Sequence, residues 1–216
     1  METVTASEQM IEQQVRAWDV LDGRVLDAMR TVPRELFVPE SQRYRAFADA
    51  EVPLAHGQHM LRPSVAGRVL QALLPEPTEQ VLEIGTGSGF LSACLARLAA
   101  RVHTVELYPD LAEAARGNLA TAGVRSVDVL EADALRMNGG ADYDAIAVTA
   151  SLPIYVPHFE RMLAVGGRLF VVVGEAPAME ARLVTRTGSD TWQVQSLFET
   201  VIDPLVNSIR PPEFSF

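Results

Sequence analysis

Ten residues, Val81-Leu82-Glu83-Ile84-Gly85-Thr86-Gly87-Ser88-Gly89-Phe90, restrict the fold more than any other part of this 216-residue chain. They read as a short buried strand, a glycine-rich turn and the opening of a helix. Backbone N–H groups at such a turn face whatever binds there, and glycine lets a ligand come close. The spacing is Gly-x-Gly-x-Gly, and a dinucleotide fingerprint would need another glycine where Phe90 stands. The stretch therefore demands an α/β sheet with a ligand at its strand ends, but not the dinucleotide version.

The segments after it agree. Strands are predicted at 80–85, 101–106, 127–131 and 143–149, and helices at 89–99 and 109–121. Residues 150–157 read as a loop around Pro153 and Pro157, and His158–Leu163 as a short helix. Gly166-Gly167 then precedes an apolar strand, Arg168–Val173. Glu180–Thr187 and Thr191–Val201 read as antiparallel strands around the turn Gly188-Ser189-Asp190. Repeated strand–helix units give a mostly parallel sheet with right-handed crossovers, here with an antiparallel C-terminal part.

Ahead of the glycine turn the pattern is helical. Met10, Ile11, Val15, Trp18 and Leu21 are spaced for one amphipathic helix over Glu8–Leu21, and Val25, Leu26 and Met29 for a second over Arg24–Thr31. Pro33 and Pro39 break the chain, and Pro63 opens a third helix with Val65, Val69, Leu70, Leu73 and Leu74 on its packed face. The organisation is one domain over 1–216: a helical N-terminal cap with a loop over 1–78, and an α/β core over 79–216.

Composition narrows the partners. The formal net charge of −10 argues against broad nucleic-acid binding, which needs a basic face. A single cysteine, Cys94, permits no internal disulfide and no cysteine-based metal cluster, and its place in the helix after the turn suits a small core residue. No metal site is expected. The N-terminus reads as acidic and polar without an apolar signal segment, and no run approaches the roughly 18 apolar residues of a membrane span. The expectation is a cytoplasmic protein that uses no membrane.

Three consecutive strand ends carry chemistry. The first holds Gly85–Gly89, the second ends in Glu106 followed by Leu107, and just past the third lie Asp133 and Ala134. In open α/β sheets ligands sit beyond these ends. A carboxylate at Glu106 can accept from both hydroxyls of a ribose, and one at Asp133 from an adenine amino group. No Walker lysine follows the glycines, which disfavours a nucleoside triphosphate. Strand–GxGxG–helix with an acid one unit later is the pattern of S-adenosylmethionine (SAM) methyltransferases. The candidate cofactor residues are Glu83, Gly85, Thr86, Gly87, Ser88, Gly89, Glu106, Leu107, Asp133 and Ala134. Glu83, an acid inside an apolar strand, could hold the cofactor's amino group or a buried loop N–H.

Two further segments narrow the likeness: Val32-Pro33-Arg34-Glu35-Leu36-Phe37-Val38-Pro39 and Pro53-Leu54-Ala55-His56-Gly57-Gln58. With Val81–Phe90, Tyr143–Ala150 and Gly166–Leu169, the chain resembles the protein-L-isoaspartate O-methyltransferase family over nearly its whole length. The resemblance implies a class I SAM-dependent methyltransferase fold, a Rossmann-like seven-stranded sheet with helices on both faces. It also implies methyl transfer from SAM to the free carboxylate of L-isoaspartyl residues in proteins or peptides, which starts the repair of damaged chains. In the loop Gln58-His59-Met60-Leu61-Arg62-Pro63, Leu61 stands where the family has its active-site serine. The candidate catalytic residues are His59 and Arg62, as donors to an acceptor carboxylate. The alternatives are transfer to another peptide or small-molecule carboxylate, and SAM binding without turnover.

Overall fold

The computed structural model describes residues 5–137 and 142–210. Nine strands and five α-helices appear among them: α1 (Ala6–Met10), α2 (Gly23–Thr31), β1 (Val52–Pro53), β2 (His59–Met60), α3 (Pro63–Leu73), β3 (Gln80–Ile84), α4 (Phe90–Leu95), β4 (Arg101–Glu106), α5 (Pro109–Thr121), β5 (Val127–Glu131), β6 (Tyr143–Leu152), β7 (Leu163–Glu175), β8 (Ala178–Gly188) and β9 (Thr191–Glu199). Seven strands form one sheet in the order β5-β4-β3-β6-β7-β8-β9. Pairing is parallel from β5 to β7 and antiparallel through β8 and β9. The chain starts at the centre with β3, winds outward to β5, then crosses to β6, so the switch point lies between β3 and β6. Ligands bind at such a crevice.

Alternation along the central strands explains the two cores. Ala145 and Ala147 of β6 face one cluster with Val81, Phe90, Cys94 and Phe170. Ile146 and Val148 face the other, with Leu82, Ile84, Val105 and Val171. The first side is covered by α3, α4 and α5, with α2 packed outside on α3 and α4. The second is closed largely by crossover segments, with Leu135, Met137, Phe159 and Met162 packed against it. Among the described residues the regular turns there are short 3-10 pieces, Ala134–Arg136 and Glu160–Met162, the second within the short helix expected over His158–Leu163.

Several element boundaries differ from expectation. Glu8–Leu21 is not one helix: α1 passes into a π turn at Ile11–Val15 and a 3-10 turn at Arg16–Trp18. The widened turn lets Met10, Ile11 and Val15 all be buried. The helix after the glycine turn is regular only to Leu95. β6 continues to Leu152, into what reads as loop, and β7 begins at Leu163 instead of Arg168. The β6 extension comes from pairing of Ser151 with Val172 and Leu152 with Val173, and the early start of β7 has its own cause. Tyr143 pairs with Leu163 and Ala145 with Arg168, so the glycine pair is a bulge inside a strand, not a boundary before one. A Cβ on Gly167 would stand 2.8 Å from the Tyr143 carbonyl oxygen, so no larger residue fits. The pair β1–β2, antiparallel with Val52 opposite Met60, was not anticipated.

Candidate active site

The glycine turn is held in shape by its own sequence. Gly85 has φ of 94°, and a Cβ there would meet Thr149 Oγ1 at 2.5 Å. That hydroxyl donates to the Ile84 and Gly85 carbonyls at 2.9 and 2.8 Å, locking β6 to the turn. Gly87 lies under Leu54 of the 53–63 loop. Gly89, with φ of 85°, packs against Ala115 and Leu119 of α5. Gly85 and Gly87 line a cavity, whereas Gly89 serves helix packing and lies off its wall. Phe90, which replaces the dinucleotide glycine, fills its space with an aromatic ring edge-on to Phe37, 5.8 Å between centroids.

Glu106 ends β4 almost wholly buried. One carboxylate oxygen accepts from the Gly87 N–H at 2.9 Å, and the other from the Leu107 and Tyr108 N–H groups at 3.0 and 3.1 Å. These bonds tie the first two strand ends together. A carboxylate offers about four lone-pair sites, and three are taken, so capacity for one further donor from a ligand remains. Asp133 follows β5. Its Oδ1 caps the turn at Leu135 N, 3.0 Å, and its Oδ2 accepts from Asn207 Nδ2 at 3.0 Å. Glu106, Leu107, Asp133 and Ala134 all line the same cavity as Gly85 and Gly87.

Glu83, Thr86 and Ser88 lie on an adjoining smaller cavity behind the turn. Thr86 Oγ1 and Thr104 Oγ1 share a hydrogen bond of 2.7 Å, and Thr104 donates to Glu83 Oε2, also at 2.7 Å. Ser92 donates to the same oxygen. Glu83 Oε1 is buried without a partner. Burial pushes the Glu83 carboxyl up to about 7, against the pull of the two hydroxyls and with some help from the Glu106 charge. An orphaned, buried acid beside the glycine turn suits a ligand ammonium.

The opposite wall comes from two segments. The 53–63 loop contributes Leu54, Gln58, His59, Met60 and Leu61. His56 stacks on Tyr108 at 4.0 Å between rings and contacts Asp110 at 2.8 Å, anchoring the loop to the start of α5. The second segment, Ile202, Asp203, Leu205 and Val206, has no counterpart in the sequence reading. It runs beside the end of β6: Ser151 N donates to the Asp203 carbonyl and Leu205 N to the Ser151 carbonyl, both at 2.8 Å.

His59 and Arg62 separate here. His59 faces the cavity and contacts Asp203 through Nδ1 at 2.9 Å, joining the two wall segments. The Arg62 guanidinium lies over Trp18 at 5.5 Å, 3.5 Å from Thr200 Oγ1, and off the wall of both cavities. It borders an open groove shared with Arg45, Glu51, Pro53, His59 and Val201. Leu61 packs against the core, and the nearby Ser64 hydroxyl donates at 2.7 Å to Asp49 Oδ1, which also accepts from the Ser64 N–H at the start of α3. Arg34, missed as a site residue, donates to the Leu61 carbonyl at 3.0 Å.

The sequence model of the family described as protein-L-isoaspartate(D-aspartate) O-methyltransferase matches residues 5–209. The chain belongs to this family. Within it, the chain is 41% identical over 201 residues to the protein-L-isoaspartate O-methyltransferase of Rhodopseudomonas palustris, covering 92% of each. It is 39% identical over 202 residues to that of Aeropyrum pernix, covering 91% of this chain and 78% of that protein. Among solved structures it superposes with TM-score 0.82 on an isoaspartate methyltransferase of Plasmodium falciparum solved with S-adenosyl-L-homocysteine, at 20% identity and 94% and 99% coverage. The expected fold class is thereby borne out: an isoaspartyl-methyltransferase sheet, mostly parallel with an antiparallel C-terminal part and a helical N-terminal cap.

Proposed function

We infer that this protein is a SAM-dependent carboxyl methyltransferase acting on L-isoaspartyl residues of proteins or peptides. The observation that carries the reading is the convergence of the glycine turn, Glu106 and Asp133 on one cavity whose far wall is the 53–63 loop. SAM, when bound, supplies an electrophilic methyl group on a sulfonium. The residues placed to hold it are Gly85 and Gly87 by close backbone approach, Glu106 for the ribose, Asp133 with Ala134 for the adenine, and Glu83 for the ammonium. Thr86 and Ser88 shape the turn through their backbone, because the Thr86 hydroxyl is engaged with Thr104.

The acceptor carboxylate has an ordinary pKa near 4 and is ionised at neutral pH, so the chain needs no base to prepare it. Its work is alignment and exclusion of water. Leu54, Met60 and Leu61 give the loop wall an apolar surface against the cavity. His59 is positioned to donate a hydrogen bond to an arriving carboxylate, oriented by Asp203. Arg62 and Arg45 border the groove alongside and are placed to hold the flanking peptide or its charge. The expected substrate is thus a protein or peptide, not nucleic acid, and the proposed setting is the cytoplasm. Among the described residues no helix is long and apolar enough to cross a membrane.

A second reading is a carboxylate other than isoaspartate, favoured by the apolar Leu61 beside the acceptor position. A transfer assay with tritiated SAM separates the two. Label is expected on an isoaspartyl peptide and not on its aspartyl isomer. No label on either peptide, with SAM bound, makes the other acceptor the leading reading.

A further inference from the structure

Arg34 is among the largest fully buried side chains in the protein, only 1% exposed. A guanidinium carries five N–H donors and a permanent charge, so burying one demands partners. Two of its three nitrogens have them. Nε donates to the Ala46 carbonyl at 2.9 Å and Nη2 to the Leu61 carbonyl at 3.0 Å. The plane lies over the Phe90 ring at 4.5 Å. Nη1 is buried with no partner. Burial lowers the group only to about 10, so it stays charged at neutral pH.

The small cavity behind the glycine turn explains the vacancy at Nη1. Arg34 lines it together with Glu83, whose Oε1 is likewise buried and unpartnered. One cavity therefore presents an unsatisfied cation and an unsatisfied acid, next to the backbone of Gly85 to Ser88. Two buried groups of opposite character without partners are costly unless a ligand carrying both complementary charges fills the space. An α-amino acid head group is such a ligand. An acceptor carboxylate alone carries no cation to pair with Glu83, so it would satisfy only half of this cavity.

We propose that Arg34 binds the α-carboxylate of the cofactor's methionyl group through Nη1, opposite Glu83 on the ammonium. The assignment rests on the cofactor-site reading above. It also makes Arg34 a link between two functions, since the same guanidinium holds the acceptor loop at Leu61.

Calorimetry with three ligands tests this without measuring turnover. They are SAM, decarboxylated SAM, which keeps the sulfonium and amine, and 5′-methylthioadenosine, which lacks the whole head group. Wild type is expected to bind SAM at least about tenfold more tightly than the decarboxylated form, the size of a charge-assisted hydrogen bond. Arg34→Gln should bind the two within about threefold of each other and keep the wild-type affinity for 5′-methylthioadenosine. Arg34→Lys should retain part of the discrimination. Equal binding of SAM and decarboxylated SAM by wild type overturns the proposal, whether or not any variant folds. So does undiminished discrimination in Arg34→Gln. If 5′-methylthioadenosine does not bind, or its binding is indifferent to Glu106→Ala, the cofactor-site reading itself fails and takes the Arg34 assignment with it.

Discussion

The two walls of the cavity are built by different means. The sheet-side wall consists of strand ends, where Gly85, Glu106 and Asp133 lie at or just past the ends of adjacent parallel strands, which are linked by the Gly85 N–H to the Val105 carbonyl and the Ala132 N–H to the Glu106 carbonyl, both at 2.9 Å. The far wall consists of the 53–63 loop and the 202–206 segment, joined to each other through His59 and Asp203, with the loop tied to α5 through His56 and Asp110 and the segment to the end of β6 through Ser151. A wall made of strand ends is placed by the fold. A wall made of loop segments held at a few points is freer to vary with the acceptor. Substitutions on the sheet side should therefore act on cofactor affinity and stability, and those on the loop side on acceptor transfer.

The strongest way to break that division is Glu106→Ala. It removes one carboxylate that accepts from three backbone N–H groups as well as any ribose contact. SAM affinity is expected to fall by about 1.5–3 kcal/mol, measured by calorimetry. An unchanged affinity would reduce Glu106 to a strut between β3 and β4.

Glu83 sharpens the same wall through pH. Its folded-state carboxyl is raised to about 7 by burial, above its ordinary value. A raised acid favours folding fully below its unfolded pKa, and that contribution is lost as pH rises through the folded value. Glu83→Gln should therefore melt higher than wild type at pH 8 without ligand, by a few kcal/mol at most, with the difference shrinking between pH 7 and pH 4.5. Thermal melts of both proteins across that range check the sign. Arg34, Glu106 and Cys94 also lie close enough to influence this region, so the difference curve is the informative one.

The same contrast governs what the sequence disclosed. The sheet wall was legible because its signals are local: glycines at fixed spacing, an acid at a strand end, and helix 109–121, which matches α5 to the residue. The far wall depends on pairings remote in sequence. Nothing in Ile202–Val206 marks it as cavity lining until Pro204 meets Ser151 at the end of β6. Arg34 was hidden for a related reason. Arginine is ordinarily exposed, and a buried one is identified only when its partners, Ala46 and Leu61, are brought together in space. Arg62 shows the opposite limit: its neighbours in sequence line the cavity, but it stands just before Pro63 at the start of α3 and its guanidinium turns to Trp18.

On the loop side, His59→Ala is expected to lower kcat/KM for an isoaspartyl peptide by about tenfold, since it loses a donor at the cavity and the tie to Asp203. Arg62→Ala should lower it less, by roughly threefold and mostly in KM, because Arg62 borders only the groove. SAM affinity should be nearly constant in both. Steady-state kinetics with a peptide series would overturn the order if Arg62→Ala proved the more damaging, which would put the acceptor carboxylate in the groove.

The smallest effect is expected at the position that differs most visibly from the family. Leu61 stands where the resemblance leads one to expect a serine, and its backbone carbonyl is held by Arg34 whatever the side chain. The methyl transfer requires alignment of an acceptor that is already ionised, and a neutral hydroxyl adds one hydrogen bond worth about 0.5–1.5 kcal/mol. Against that gain stands the loss of apolar packing, because Leu61 lies partly buried against the core and on the cavity wall. The two terms are similar in size and opposite in sign. Leu61→Ser should therefore keep isoaspartyl transfer within about threefold of wild type, or raise it modestly, with a lower melting temperature. A gain well above tenfold would mean that the hydroxyl orients the acceptor directly and that wild type is shaped for a different carboxylate. A loss of that size would mean that Leu61 itself packs against the acceptor, and the apolar wall, not a polar donor, sets its specificity.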